Sequence, residues 1–270
     1  MKRKKALITG ASHGIGKAIA IALAQNGYDV GVNYCNNRTG AEDTCRLAHE
    51  AGAQALAFRA DVGDYQALRG LFDAYFDAFG SIDLMVNNAG VSEFHPLLEV
   101  TEEQWERITR TDWKAAYFGT QFAARRMVEQ GTAGVIINIA SNHVDGCFPE
   151  ANIYAPSKAA VDTFCRNAAM ELAPHKIRVL ALAPGYTNVW EPDNPINQVK
   201  ERIPLQRFAT PEEVANILVF LASDACSYMT GTRITCLLYT SGLERVYLAM
   251  AARKWRCACS KRPRRIISRP

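Results

Sequence analysis

Short apolar runs and longer amphipathic stretches alternate along the first 236 residues of this chain. The runs 6–9, 29–33, 53–59, 82–86, 134–139 and 178–183 are rich in Val, Ile, Leu and Ala and are predicted as strands. Between them, apolar residues recur at helical spacing over 15–26, 41–51, 65–79, 102–130, 152–173 and 211–222. A further run, 232–236, begins a last strand. Strands apolar along their whole length are those covered on both faces, as in a parallel sheet. Strand–helix alternation with right-handed crossovers then predicts an α/β fold. The expected form is a single-domain Rossmann-type, doubly wound parallel sheet with helices on both faces.

Helix-start signals agree with this pattern. Thr210 followed by Pro211-Glu212-Glu213 places a cap, a proline and acids in one first turn. Thr101 and Gln104 have capping-box spacing. Beyond Cys236 the pattern fails, and residues 237–270 show no clear periodicity.

Charge follows the same division. Residues 237–270 hold nine Lys/Arg and one acid, whereas residues 1–236 hold twenty-two Lys/Arg and twenty-six acids. The formal net charge of +4 therefore conceals a mildly acidic body and a basic tail. The expected division is a catalytic domain over 1–236 and an atypical basic tail, non-native or disordered, over 237–270. Charge without a recognisable module argues against a nucleic-acid partner. No apolar run has membrane-spanning length, and Ala6-Leu7-Ile8 is too short for a signal-peptide core. A cytoplasmic protein is expected. Its eight cysteines show no Cys-x-x-Cys spacing, so reduced, buried thiols are expected rather than a metal site.

Gly10, Gly14 and Gly16 follow the first strand and open the first helix. The loop of Gly10, Ser12, His13, Gly14, Ile15 and Gly16 is thus a candidate cradle for a dinucleotide pyrophosphate, aided by the helix N-terminus. A glycine-rich turn without a ligand is the bland alternative. After the second strand, Tyr34-Cys35-Asn36-Asn37-Arg38 contains no acid for a ribose hydroxyl. Arg38 and His13 are candidates for a 2′-phosphate, so NADP(H) is favoured over NAD(H). The alternative for Arg38 is a solvated surface position.

Of ten tyrosines, only Tyr154 has a lysine, Lys158, four residues on. In a helix these positions share a face. A free phenol ionises near pH 10, and an adjacent ammonium stabilises the phenolate. Tyr154 is therefore the candidate general acid/base and Lys158 its tuner; an isolated pair of this kind is otherwise an ordinary surface contact. Ser141, at the end of the fifth apolar run, is placed to donate to a substrate oxygen. It has no histidine at a recognisable nucleophile spacing and no Gly-x-Ser-x-Gly, so a hydrolase is not expected.

Over about residues 5–236, the chain resembles the short-chain dehydrogenases/reductases. The resemblance rests on Thr9–Gly16, Asp61-Val62, Asn87-Asn88-Ala89-Gly90, Ser141, Tyr154-x-x-x-Lys158 and Pro184-Gly185. It implies that Asp61 and Val62 border the adenine and that Asn87, Ala89 and Gly90 support the ribose side. Lys158 would also bond the nicotinamide ribose beside Tyr154. Pro184, Gly185, Tyr186 and Thr187 would line the carboxamide, and Asn188 to Leu205 would form a substrate lid. Trp190, Glu191, Asp193 and Asn194 in that lid suggest a hydroxylated substrate. A homo-oligomer, tetramer or dimer, is implied as well.

Two departures stand out. Where the family usually has asparagine, this chain has Asp112, an acid in a candidate proton relay. The usual Asp-Gly-Gly after the last strand is replaced by Cys236-Leu237-Leu238-Tyr239, as a frameshift or cloning scar would produce. The expected activity is hydride transfer between NAD(P)(H) and a small alcohol or carbonyl compound. Within it, the layout is similar to both 3-oxoacyl-carrier-protein reductases and sugar dehydrogenases of the glucose type. A non-catalytic NAD(P)-binding protein is the alternative from another class.

Overall fold

The computed structural model describes residues 3–146, 148–189, 200 and 203–236. Among them, seven strands run in chain order: β1 (Lys4–Ile8), β2 (Tyr28–Tyr34), β3 (Ala55–Arg59), β4 (Leu84–Asn87), β5 (Val135–Ile139), β6 (Arg178–Ala183) and β7 (Arg233–Thr235). All pair in parallel, in the order β3-β2-β1-β4-β5-β6-β7. The chain winds outward from β1 to β3, returns to place β4 on the other side of β1, and winds outward again. The reversal opens a crevice between the carboxyl ends of β1 and β4, where such sheets bind ligands.

Side-chain alternation along the strands divides the core in two. Ala6, Ile8, Val30, Val32, Val86 and Leu182 pack beneath helices α1 (Gly14–Gln25), α2 (Arg38–Glu50) and α7 (Pro211–Ala222). Leu7, Met85, Ile136 and Val179 face the opposite layer. That layer comprises α3 (Tyr65–Phe79), α5 (Ala115–Glu129) and α6 (Tyr154–Leu172). Tyr75, a fully buried aromatic of this layer, closes on Gly31: a Cβ there would lie 2.7 Å from the ring.

The caps form as expected. Thr101 and Thr210 each accept from the backbone N–H three residues on, and Gln104 and Glu213 answer from their side chains. The expected helix 102–130 is instead two helices, α4 (Glu102–Thr109) and α5, joined by a π-turn over Arg110–Lys114. Helix α2 begins at Arg38, earlier than expected, because the Asn37 side chain caps it through Gly40 N at 2.9 Å. Cys35 is exposed, whereas Cys45, Cys165 and Cys226 are buried as expected. Among the described residues there is no metal-binding cluster, and no helix is long and apolar enough to cross a membrane. The tail 237–270 and the lid residues Trp190, Glu191, Asp193 and Asn194 lie outside the described residues.

Candidate active site

Two hollows meet along the carboxyl edge of the sheet. A cleft of 730 Å³ runs past the glycine loop, the end of β2 and Asp61-Val62. A cavity of 180 Å³ continues from it past Ser141, Tyr154 and Lys158. Ile15, Asn88, Gly90, Ser92 and Val189 line both, so the two form one trough.

The glycine loop is shaped by its backbone. Gly10 and Gly14 have φ of +63° and +55°, the left-handed region that L side chains rarely adopt. A Cβ at Gly10 would lie 2.9 Å from Ala89 Cα, so the loop also passes too close to β4 for a side chain. Asn88 secures that approach: its Nδ2 donates to Thr9 O at 2.9 Å and to Gly10 O at 3.1 Å. Thr9 Oγ1 in turn accepts from Asn88 N and Ala89 N. His13, at the N-cap of α1, supplies no side-chain cap; its ring is engaged with Ser12 Oγ at 3.0 Å. The first amides of α1 therefore face the cleft without a side-chain acceptor, as an anion site requires.

Several expected residues line this trough: Gly10, Ser12, His13, Gly14, Ile15, Gly16, Asp61, Val62, Ala89, Gly90, Pro184, Gly185 and Thr187. Two are placed elsewhere. Asn87 turns inward and donates to Asn138 Oδ1 at 2.8 Å and Thr120 Oγ1 at 3.2 Å, so it ties β4 to β5 and α5. Arg38 pairs with Glu42 at 2.7 Å on the exposed face of α2, one helical turn being enough to divert it from the cleft. Asp61 also departs from a simple adenine contact. It accepts from Gly63 N at 3.0 Å and pairs with Arg110 at 3.2 Å.

The catalytic candidates converge from three elements. Tyr154 opens α6, where Pro156 lies in the first turn and interrupts no helical bond. Lys158, one turn on, is buried with its Nζ 5.7 Å from the Tyr154 ring centroid. Lys158 Nζ donates to Ile139 O at 3.2 Å, at the end of β5. Ser141 caps the short helical turn Asn142–Asp145 by accepting from His143 N at 3.2 Å. The π-turn brings Asp112 into the interior, 1% exposed, with Oδ2 3.7 Å from Lys158 Nζ. Its Oδ1 accepts from Val91 N at 2.6 Å. Asp112 therefore faces the site rather than Arg110 or Lys114. Burial pushes its carboxyl above the usual range, and the Lys158 ammonium pulls it back. Gly90 leaves room for the pair: a Cβ there would lie 3.1 Å from both Asp112 Oδ1 and Lys158 Nζ.

His143 was not among the expected site residues. Its Nδ1 lies 3.2 Å from Ser141 Oγ, so the serine does have a histidine neighbour, two positions on. The ring packs against Phe148 at 3.9 Å with a tilt of 31° and meets Tyr154 edge-on at 5.4 Å. Burial pushes its pKa down to about 4, which keeps it neutral at ordinary pH. Spacing alone gave no sign of this, because the contact depends on the turn after β5.

Over most of its length the chain is similar to known proteins. A family model described as enoyl-(acyl carrier protein) reductase matches residues 10–236. The chain is 37% identical over 237 residues to the 3-oxoacyl-[acyl-carrier-protein] reductase FabG of Staphylococcus aureus, covering 86% of this chain and 95% of that protein. It is 35% identical over 240 residues to L-rhamnose 1-dehydrogenase (NAD(P)(+)) of a Sphingomonas species, covering 87% and 94%. The crystal structure of acetoin dehydrogenase YohF from Salmonella typhimurium superposes with a TM-score of 0.80 at 32% identity, covering 86% and 94%.

Proposed function

The chain belongs to the short-chain dehydrogenase/reductase family and is an NAD(P)-dependent oxidoreductase, and we propose that Tyr154, Lys158 and Ser141 carry its reaction on a secondary alcohol or carbonyl compound. One observation carries this reading. Tyr154, Lys158 and Ser141 line a single cavity that opens onto the glycine cleft. The positive φ of Gly10 and Gly14, the close approach to Ala89 and the uncapped start of α1 all suit a pyrophosphate. A dinucleotide held there would supply or accept the hydride through its nicotinamide.

In reduction, Ser141 donates a hydrogen bond to the carbonyl oxygen while Tyr154 gives that oxygen its proton. Lys158 offsets the negative charge left on the phenolate. Oxidation runs the same path backward, with Tyr154 taking the alcohol proton. Asp112 Oδ2 lies 3.7 Å from Lys158 Nζ, an ion-pair distance too short for a water between the two atoms, so the acid would extend the proton path through the ammonium itself.

NADP(H) is the favoured nucleotide in this reading, with NAD(H) the alternative. Support comes from the end of β2, where Cys35, Asn36 and Asn37 line the cleft and no carboxylate does. A 2′-phosphate would have to draw Arg38 away from Glu42. The substrate is a small alcohol or carbonyl compound. A cytoplasmic homo-oligomer built on residues 1–236 completes the proposal, with exposed Tyr117, Val128 and Met170 on α5 and α6 as apolar contact surface.

The test is turnover of alcohols and ketones by the unmodified protein and by Tyr154→Phe. The variant keeps the ring and its packing and lacks only the exchangeable proton. Turnover should fall by at least about a hundredfold, with nucleotide affinity within a few-fold. Full activity in Tyr154→Phe would refute the assignment.

A further inference from the structure

We propose that His143 is a positioning and specificity residue. Its Nδ1–H fixes the Ser141 hydroxyl as a donor to the reacting oxygen, and its Nε2 accepts from a hydroxyl on the adjacent carbon, selecting α-hydroxy carbonyl compounds and vicinal diols. The inference rests on the hydride-transfer reading above and goes beyond it by naming a substrate class.

The argument begins with the tautomer. Nδ1 lies 3.2 Å from Ser141 Oγ and 3.3 Å from Asn142 Oδ1. An amide oxygen can only accept, so the 3.3 Å contact to Asn142 Oδ1 is a hydrogen bond only in the tautomer with hydrogen on Nδ1, and that tautomer needs no proton from Ser141. Ser141 Oγ then accepts twice, from His143 N at 3.2 Å and from Nδ1–H. A hydroxyl has two acceptor sites and one proton, so the proton is all that Ser141 has left to offer. Asn142 Oδ1, 3.5 Å away, is too distant to hold that proton against a substrate oxygen. The imidazole thereby converts Ser141 from an ambivalent hydroxyl into a fixed donor.

The same tautomer leaves Nε2 as a bare acceptor. Among the described residues Nε2 makes no hydrogen bond, and His143 lines the substrate cavity with Ser141 and Tyr154. Its burial keeps the ring neutral, so the lone pair stays available. Phe94 stacks on the ring at 5.7 Å and Phe148 lies tilted against it at 3.9 Å, so polar contact is left to the ring edge. An acceptor one ring width from the Ser141 contact suits a hydroxyl next to the reacting carbon. A substrate lacking it would leave the acceptor unpaired.

The test compares kcat and KM for matched alcohols: 2-butanol against 2,3-butanediol, and cyclohexanol against 1,2-cyclohexanediol. The unmodified enzyme should favour each diol. In His143→Asn, the amide reaches the Nδ1 position but not that of Nε2. It should hold kcat for the monoalcohols within about threefold while the diol preference drops about tenfold, chiefly through KM. His143→Leu removes both contacts and should lower kcat on every alcohol by about tenfold or more. A full diol preference in His143→Asn would overturn the substrate class. Unchanged kcat in His143→Leu would overturn the positioning of Ser141. Equal use of monoalcohols and diols by the unmodified enzyme would remove the specificity claim and leave hydride transfer standing. No turnover of any alcohol or corresponding ketone would overturn that underlying reading and this inference with it.

Discussion

Replacing Asp112 by asparagine isolates the effect of one buried charge on the proton path. Asparagine keeps the shape and can still accept from Val91 N, where the carboxylate bond is now 2.6 Å. It loses the negative charge 3.7 Å from Lys158 Nζ, itself 5.7 Å from the Tyr154 ring. Taken end to end, those distances put the carboxylate no more than about 9 Å from the ring. At an effective dielectric of about 20, a unit charge at that range contributes about 1.8 kcal/mol, or roughly one pH unit. Without Asp112, the positive charge of Lys158 stands uncompensated beside the reacting oxygen. The rising limb of alcohol oxidation against pH should therefore move about one unit toward acid. The maximal rate should stay within about twofold, because the amide keeps the shape and the bond from Val91 N. Initial rates of NAD(P)H formation from pH 5 to 10 measure both quantities. A maximal rate lowered tenfold at every pH would show that the carboxylate itself carries the proton. Superimposable profiles would remove Asp112 from the site.

Stability provides a second reading of the same variant. Burial raises the Asp112 pKa in the folded protein, with the Lys158 charge opposing. A carboxyl that holds its proton more tightly when folded loses stability as pH rises. The loss starts near the unfolded value of about 3.9 and ends at the raised folded value. Asparagine has no such loss. The Tm difference, variant minus unmodified, should therefore increase as pH is raised through that window. A constant deficit of about 1 kcal/mol from the weaker Val91 bond would lie beneath it. A difference that shrinks with rising pH would contradict the assigned cause.

The geometry sets three further outcomes. Lys158→Ala should impair both nucleotide affinity and turnover, measured by titration and steady-state rates, because the lysine lies between Ile139 O, Asp112 and the Tyr154 ring. Gly10→Ala should cost about 1–3 kcal/mol in thermal unfolding and weaken nucleotide binding. Gly27→Ala, at φ +86° with open space around it, serves as the control for strain without the clash at Ala89. If NADP(H) is preferred, Glu42→Ala should tighten its binding by up to about fivefold, the worth of releasing an exposed pair. Arg38→Ala should weaken it, and NAD(H) affinity should hold in both; competition titrations check this.

The sheet was legible because burial on both faces leaves little freedom in composition. Strands such as 134–139 and 178–183 are apolar but for Asn138 and Arg178, and coincide with β5 and β6 to within a residue. The glycine loop was legible for a related reason, since left-handed backbone narrows the choice of residue. Where the structure adds to the sequence reading, the determining contact is short and local. Arg38 lies at the start of α2, so a pairing at i,i+4 with Glu42 competes with any ligand. Asn87 and Asn88 are adjacent in a strand end, and alternation sends the first into the core and the second toward the glycine loop. A motif records both residues and says nothing of which side each faces.

The π-turn has the larger consequence. Apolar periodicity across 102–130 is consistent with one helix, and no proline or glycine marks Arg110–Lys114 as a break. The widened turn is a matter of one extra residue, a change too small to disturb the average pattern and large enough to redirect the side chains within it. It carries Asp112 inward against Val91 and Lys158, at the cost of burying a carboxylate. The buried acid is offset there by the Val91 N–H on Oδ1 and by the charge of the ammonium 3.7 Å from Oδ2, which itself accepts no hydrogen bond among the described residues. Lys158 is thus held from below by Ile139 O and Asp112 while its field reaches Tyr154. The two charges nearest the Tyr154 ring, Lys158 and Asp112, are set by separate elements, α6 and the π-turn. Substitution at either should therefore shift the pH dependence of the reaction before it disturbs the fold.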